Sequence, residues 1–203
     1  AGHVRVYSWN GSAWTKLGDD IDGEAARDNS GRSVSLSSDG TTLAIGATHN
    51  DGNGSDGDEG HVRVYKYNGS AWTRLGDDID GEGIGDYSGF SVSLSSDGKT
   101  VAIGAYRNDG TATNAGHVRV YSWNGSAWTK LGGDIDGEAG GDYSGYSISL
   151  SSDGTTVAIG AYGNDGNGTS SGHVRVYNLV NVNAPVAVAD VLTVAEDAAL
   201  TSK

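Results

Sequence analysis

The stretch GHVRVYKYNGSAWTRL, residues 60–75, contains the pattern on which the prediction of the fold depends. Valine alternates with polar and aromatic residues over 61–65, which is typical of a β-strand with one buried face. Asn68-Gly69 follows, and this dipeptide is a strong signal for a hairpin because both residues accept positive φ. Residues 71–75 then return as a second strand.

The same phrase recurs along the chain. GHVRVY starts at residues 2, 60, 116 and 172, so the offsets are 58, 56 and 56 residues. The phrases SAWT, DIDGE, SLSSDG and AIGA recur between these starts in the same order. Two further strands are predicted in each unit, at 91–95 and 101–105 in the second, and no stretch shows helical periodicity. The repeats therefore cover residues 1–178.

Four short antiparallel strands in a unit of about 56 residues predict an all-β fold made of β-propeller blades. About three and a quarter blades are expected in this chain. Small residues opposite Val, Leu and Ile let neighbouring sheets approach closely, and large aromatic residues fill the wider space on the outer hairpin. A stacked β-solenoid is the alternative. Since this number of blades does not close a ring, we expect further blades of the same polypeptide or, alternatively, strand exchange with other copies.

The composition excludes several functional classes. The chain has 203 residues, 34 glycines, no cysteine and a formal net charge of −13. The charge argues against a nucleic-acid partner, because phosphate binding needs clustered Lys and Arg. The absence of cysteine excludes disulfides and thiolate metal sites. No apolar run approaches the roughly 18 residues of a membrane span, so membrane insertion is not expected.

Three elements of each unit resemble the FG-GAP repeat of integrin-α-like propellers, especially the repeats of secreted bacterial surface proteins. Its Phe-Gly element is replaced here by Ser30-Gly31, Ser88-Gly89 and Ser144-Gly145. Its Gly-Ala-Pro element is replaced by Gly46-Ala47-Thr48, Gly104-Ala105-Tyr106 and Gly160-Ala161-Tyr162. The resemblance covers about residues 1–178 and implies a propeller, a secreted or cell-surface location and a role in adhesion.

Residues 179–203 do not continue the repeat. They contain the only proline, Pro185, and then the stretch VLTVAEDAAL at 191–200. This stretch resembles the opening of the cadherin-like modules of giant bacterial adhesins. We therefore expect a linker followed by the first strand of such a module, with a flexible tail as the alternative.

In an antiparallel meander, successive connections alternate between the two ends of the sheet. The tight Asn-Gly and Asp-Gly turns therefore share one end, and the two long, acidic connections of each unit share the other. We call this second end the loop end. Since binding residues are concentrated on loops, the loop end is the candidate functional face.

Four acidic positions recur in the long connection between blades: Asp20, Asp22, Glu24, Asp28, Asp78, Asp80, Glu82, Asp86, Asp134, Asp136, Glu138 and Asp142. Closely spaced carboxylates can supply several of the six to eight oxygens that calcium takes, so calcium is one hypothesis. In the alternative, the carboxylates cap turns and accept backbone N–H bonds. The usual calcium loop of the family does not carry over, because only Ser-Ser-Asp-Gly separates the corresponding strands.

Four tyrosines at the loop end form a second candidate site: Tyr87, Tyr106, Tyr143 and Tyr162. The preceding unit carries Asn29 and Thr48 at these positions, and Arg32 where the later units have Phe90 and Tyr146. Tyrosines suit recognition of a glycan or protein if they are exposed, whereas burial would favour packing between blades.

A catalytic site must break the symmetry of the repeat, and the asymmetric positions include no nucleophile–base pair and no carboxylate dyad. We therefore expect no enzyme. The expected function is that of an extracellular adhesion module, stabilised by calcium, that binds a glycan or protein through the loop end. A purely structural repeat scaffold is the alternative, and a propeller enzyme is less favoured.

Overall fold

The strands of the computed structural model follow the sequence repeat. The structure describes residues 1–51 and 57–179 together with the backbone of residues 186–187. Every pair of strands in this part of the chain is antiparallel. Among these residues, no helix has the length and apolar character needed to cross a membrane.

The first blade is represented by its outer strands. They are β1 (His3–Val4), β2 (Tyr7–Trp9), β3 (Trp14–Lys16) and β4 (Ile21–Asp22). β1 pairs with β4 and β2 pairs with β3. Together, β1 and β2 take the place of one continuous strand in the next blade.

The second blade is a complete meander. Its strands are β5 (Ser30–Leu36), β6 (Thr42–Ala47), β7 (His61–Tyr67), β8 (Trp72–Arg74) and β9 (Ile79–Asp80). β5 to β8 lie in sequence order across the sheet, and β9 turns back to pair with β7. The sequence does not predict this last pairing, because the isoleucine is expected there only to anchor a loop.

The third and fourth blades repeat this arrangement. The third contains β10 (Ser91–Leu94), β11 (Thr100–Ala105), β12 (His117–Trp123), β13 (Trp128–Lys130) and β14 (Ile135–Asp136). The fourth contains β15 (Ser147–Leu150), β16 (Thr156–Ala161), β17 (His173–Asn178) and β18 (Val186–Ala187). The predicted all-β architecture of blades with four antiparallel strands is confirmed.

The last sheet extends beyond the end of the repeat at residue 178. β18 pairs with Tyr177 and Asn178 of β17 and so supplies the outer strand of the fourth blade. The remaining residues of the terminal segment, 180–185 and 188–203, lie outside the described residues, as does the predicted cadherin-like module. Residues 52–56 of the acidic loop in the second blade lie outside them as well.

Each Asn-Gly hairpin turn contains one glycine with positive φ. Gly69 has φ +99°, and the side-chain carbonyl of Asn68 accepts the N–H groups of Ser70 and Ala71. The turn therefore spans four residues, with positive φ at the glycine but not at the asparagine. At the same end of the blades, the N–H of Ser38 donates to the carbonyl of Ser96 and links one blade to the next.

Neighbouring blades meet backbone to backbone. A Cβ on Gly46 would lie 2.0 Å from the carbonyl oxygen of Gly89, and one on Gly104 would lie 2.1 Å from that of Gly145. The hydroxyl of Ser91 donates to this Gly145 carbonyl at 2.7 Å. The expectation that small residues permit a close approach is therefore confirmed.

The apolar core lies between blades rather than within one sheet. Val62 and Val64 of the second blade pack with Leu94, Val101 and Ile103 of the third, and all five are buried. Equivalent clusters join the first blade to the second and the third to the fourth. Since apolar area buried between blades is a principal source of stability, each blade stabilises its neighbour.

We expect Gly104→Ala to destabilise the protein by about 2 kcal/mol or more, because its methyl group would overlap the Gly145 carbonyl and force two blades apart. Chemical denaturation measures the change. Gly133→Ala is the matched control, since nothing lies within 4 Å of its Cβ position. Equal stability of the two variants would contradict the backbone contact.

Candidate functional site

The first carboxylate of each acidic connection forms ion pairs with basic residues of its own blade. Asp78 accepts two hydrogen bonds from Arg63, at 2.9 and 2.7 Å, and one from Arg74 at 2.9 Å. Asp20 is paired in the same way with Arg5 and Lys16, whose hydrogen bonds hold its pKa well below the usual range. The third member of this set, Asp134, accepts a hydrogen bond from Lys130 at 2.7 Å.

The glutamates of the acidic connections pair with the arginine of the following blade. Glu24 forms an ion pair with Arg63. Glu82 and Arg119 lie 3.3 Å apart, as do Glu138 and Arg175. The glutamates, predicted as metal ligands, are therefore placed as counterions of arginines.

The last carboxylate of each connection is buried and caps a turn. Asp86 accepts the N–H of Gly83 at 3.0 Å and the side-chain amide of Asn108 at 2.8 Å. Burial raises its pKa, although these hydrogen bonds act in the opposite direction. Asp28 and Asp142 accept equivalent backbone bonds.

The second carboxylate of each connection lies opposite the histidine of its blade. The strand register pairs Asp22 with His3, Asp80 with His61 and Asp136 with His117. The backbone carbonyls of Asp80 and Asp136 accept hydrogen bonds from the next blade, through Arg119 and Arg175. All twelve predicted residues therefore lie at the loop end. The four positions make different contacts, although the glutamate and the first aspartate share Arg63 in one case and Lys130 in another.

Two triads bring possible metal ligands together, Glu24, His61 and Asp78 in one and Glu82, His117 and Asp134 in the other. In each triad the ligand atoms lie within 4.8 Å of one another. Arg63 pairs with both carboxylates of the first triad, however, and calcium prefers oxygen to histidine nitrogen. These residues fit an ion-pair network better than a calcium site, and calcium binding stays a prediction.

The four candidate tyrosines come together with two further rings. Tyr106 contacts Tyr87, Phe90, Tyr143 and Tyr146, with ring centroids 4.3 to 6.0 Å apart. Tyr162 then stacks on Tyr143, with centroids 5.2 Å apart and ring planes at 6°. We call these six rings the aromatic row: Tyr87, Phe90, Tyr106, Tyr143, Tyr146 and Tyr162.

No ring of the aromatic row is buried. Tyr162 is 51% exposed and Tyr146 is 42% exposed, and the other four are partly exposed. Tyr87 and Tyr143 also have φ near +55°, a left-handed conformation that costs about 1 kcal/mol for such residues. Asn29 takes this conformation in the preceding blade, and asparagine tolerates it better.

Two arginines contact rings that the third blade contributes to the row. The guanidinium carbon of Arg32 lies 3.9 Å from the centre of the Phe90 ring. Arg107 lies 5.3 Å from the ring of Tyr87 and 5.5 Å from that of Tyr106. The two arginines were not among the predicted site residues. For Arg32 the signal was a charge where the later units have the rings of Phe90 and Tyr146. Arg107 stands where the neighbouring units have His49 and Gly163.

The family comparison supports a propeller-type repeat. Residues 79–121 and 135–177 match the FG-GAP repeat. Each match runs from the two-residue strand of one blade to the third strand of the next. It therefore contains the acidic connection after its first aspartate and three of the six rings of the aromatic row. The comparison with curated proteins found no match.

Solved structures of similar fold are propeller-like. A candidate 6-phosphogluconolactonase from Bacteroides uniformis has a TM-score of 0.62 and 11% identity, over 92% of this chain and 47% of its own. The periplasmic gluconolactonase PpgL of Pseudomonas aeruginosa gives 0.52 and 15%, over 86% and 45%. Sqt1 of Saccharomyces cerevisiae gives 0.51 and 13%, over 80% and 35%. The chain spans less than half the length of each, and at these identities only the fold is comparable.

The histidine of each complete blade lies in the ion-pair network. Burial lowers the pKa of His117 to about 4, and it lowers that of His61 as well. His61 and His117 lie 3.9 and 4.0 Å from carboxylates of their own blades. His173 lies 3.7 Å from Glu138 of the preceding connection.

The buried His117 should make stability depend on pH. Its pKa rises from about 4 in the folded state to about 6.5 on unfolding. The unfolded state therefore binds more protons in this window, and the free energy of unfolding falls as the pH decreases from 6.5 to 4, by at most about 1.4 kcal/mol per pH unit. We expect His117→Gln to reduce this slope, measured by denaturant unfolding at several pH values. His3→Gln, at the exposed equivalent position, is the control, and an unchanged slope in H117Q would contradict the assignment.

Proposed function

We propose that this chain is a non-catalytic binding module that holds a glycan or protein ligand against the aromatic row at its loop end. The observation that carries the proposal is the row itself, in which six rings from two blades touch one another without being buried. Partly exposed tyrosines combine a flat apolar face with a hydroxyl and are favoured at binding surfaces.

The backbone conformation favours binding over a purely structural role. A residue that served only to build the turn would be asparagine or glycine at the positions of Tyr87 and Tyr143, because these tolerate positive φ at lower cost. Tyrosine is present in both blades despite that cost. Ring–ring contacts compensate for part of it, and the exposed ring faces stay accessible to a ligand.

The same proposal includes an extracellular setting. FG-GAP repeats and an acidic, cysteine-free composition are compatible with a secreted or cell-surface protein. Two exposed apolar faces, at Val34 and Leu36 and at Val174 and Val176, are equivalent to faces that are covered elsewhere in the chain. We expect further blades, from the same polypeptide or from other copies, to cover them.

Catalysis is not part of the proposal. The two lactonases of similar fold are only 11% and 15% identical to this chain. At this identity a shared fold does not imply a shared reaction. The residues that distinguish one blade from another at the loop end include aromatic rings, arginines, asparagine and histidine, which suit contact with a ligand.

Removal of an exposed ring should weaken binding. We expect Tyr146→Ala and Tyr162→Ala each to lower the affinity about tenfold, since an aromatic contact of this kind is worth about 1.4 kcal/mol. A glycan array and a panel of immobilised extracellular proteins identify the ligand, and calorimetry measures the dissociation constants. Trp14→Ala is the control, because this ring is 67% exposed on the first blade and outside the row. Parental affinity in both tyrosine variants would exclude the row as the binding surface.

Calcium binding is a second, separate part of the proposal. Calcium at a hundredfold excess over its dissociation constant would raise the free energy of unfolding by about 2.7 kcal/mol. Thermal unfolding with calcium and with a chelator measures this change. Asp80→Asn removes one of the predicted carboxylate ligands and retains the backbone carbonyl that bonds Arg119, so we expect it to reduce the stabilisation by calcium. An unchanged melting temperature would assign the twelve carboxylates to ion pairs and turn capping alone.

A further inference from the structure

We propose that the ligand of the aromatic row is an acidic oligosaccharide, whose carboxylates pair with Arg32 and Arg107 while its sugar rings stack on the tyrosines. This inference rests on the proposed binding function and specifies the chemical class of the ligand. It depends on three features of the described part of the loop end: two arginines that form no ion pair there, the burial of the aspartates that directly precede Tyr87 and Tyr143, and an uneven distribution of arginines over the three blades.

The two arginines differ from the strand arginines of this chain. Arg63, Arg119 and Arg175 each form an ion pair with a glutamate of the preceding connection. Within the part of the chain that the structure describes, Arg32 and Arg107 form no ion pair and contact aromatic rings instead. The net charge of the protein is −13, so most of its basic side chains could find an acidic partner. Because Arg32 and Arg107 lie over ring faces instead, their guanidinium groups are available to an anionic ligand.

The carboxylates directly next to the row in sequence are buried. Asp86 and Asp142 immediately precede Tyr87 and Tyr143, Asp28 precedes the equivalent Asn29, and the three aspartates are only 3 to 5% exposed. Each accepts a backbone N–H, and two of them also accept an asparagine side chain. Two exposed carboxylates, Asp109 and Asp165, lie three residues beyond Tyr106 and Tyr162, and each accepts a backbone N–H within its own loop.

The arginines are distributed unevenly over the three blades. The second blade contributes Arg32 and His49, the third contributes rings together with Arg107, and the fourth contributes rings with glycine at the position equivalent to Arg107. The second and third blades thus supply the arginines, and the fourth blade supplies rings alone. A ligand that carries both carboxylates and stacking faces along its length matches this distribution.

A sugar chain fits the surface better than an acidic peptide. Five of the six rings are tyrosines, and a flat face with a hydroxyl at its edge matches the apolar face and hydroxyl rim of a sugar ring. Peptide recognition instead uses side-chain pockets or a strand edge. The two pockets found beside Trp72 and Trp128, of about 270 and 210 Å³, contain no residue of the row.

The test compares three probes on the same protein. Hexagalacturonate carries a carboxylate on every sugar, its full methyl ester removes the charge and keeps the rings, and hexaglutamate keeps the charge without sugar. We expect the parent protein to bind hexagalacturonate at least tenfold more tightly than the ester or the peptide in calorimetry at 50 mM salt. Equal affinity for acid and ester would overturn the inference, and tighter binding of hexaglutamate would assign the surface to acidic peptides.

The variants separate this inference from the proposed function. Arg32→Gln and Arg107→Gln should each lower the affinity for hexagalacturonate about tenfold and leave the weak binding of the ester unchanged. Lys99→Gln, which removes one charge beside a tight turn at the opposite end of the blade, is the control. If Tyr162→Ala loses binding and both arginine variants retain it, the aromatic row binds but the charge inference is wrong. If Tyr162→Ala retains binding as well, the proposed function fails.

Discussion

The approach of one blade's glycine to the carbonyl of the next is the contact on which the rest of the structure depends. At Gly46 and Gly104 no side chain separates the two backbones, and a serine hydroxyl bonds the same carbonyl. This contact sets the distance between blades. At that distance, the valines of one sheet reach the leucine and isoleucine of the next, so the apolar core forms between blades.

The same spacing brings polar groups of neighbouring blades within hydrogen-bond distance. The indole N–H groups of Trp72 and Trp128 donate to backbone carbonyls of the preceding blade at 2.8 Å. Arg119 and Arg175 donate to carbonyls of the preceding two-residue strands. Much of the acidic character of the connections therefore serves to neutralise arginines that join the blades, which explains a motif rich in carboxylates without requiring an ion.

The repeat also explains why the loop end can bind. A symmetric scaffold places the start of each inner strand beside the same position in the next blade, so rings introduced there touch one another. Changing a few residues from blade to blade then creates a graded surface on a constant frame. The positive φ of Tyr87 and Tyr143 is held by this frame and by the neighbouring rings, so the local cost is offset elsewhere in the structure.

The sequence by itself determined the blade, because alternation, turn dipeptides and a repeat of about 56 residues are local signals that depend on strand geometry alone. It also identified the four tyrosines, as positions where similar units differ. Only the tertiary structure decided which side chains these residues contact. Asp78 pairs with Arg63, Tyr106 contacts Tyr143, and Arg107 lies over Tyr87, and in each case the two residues are far apart in the sequence. The pairing of the two-residue strands was missed for the same reason, since two residues are too short to show a period and their partner is distant in the chain.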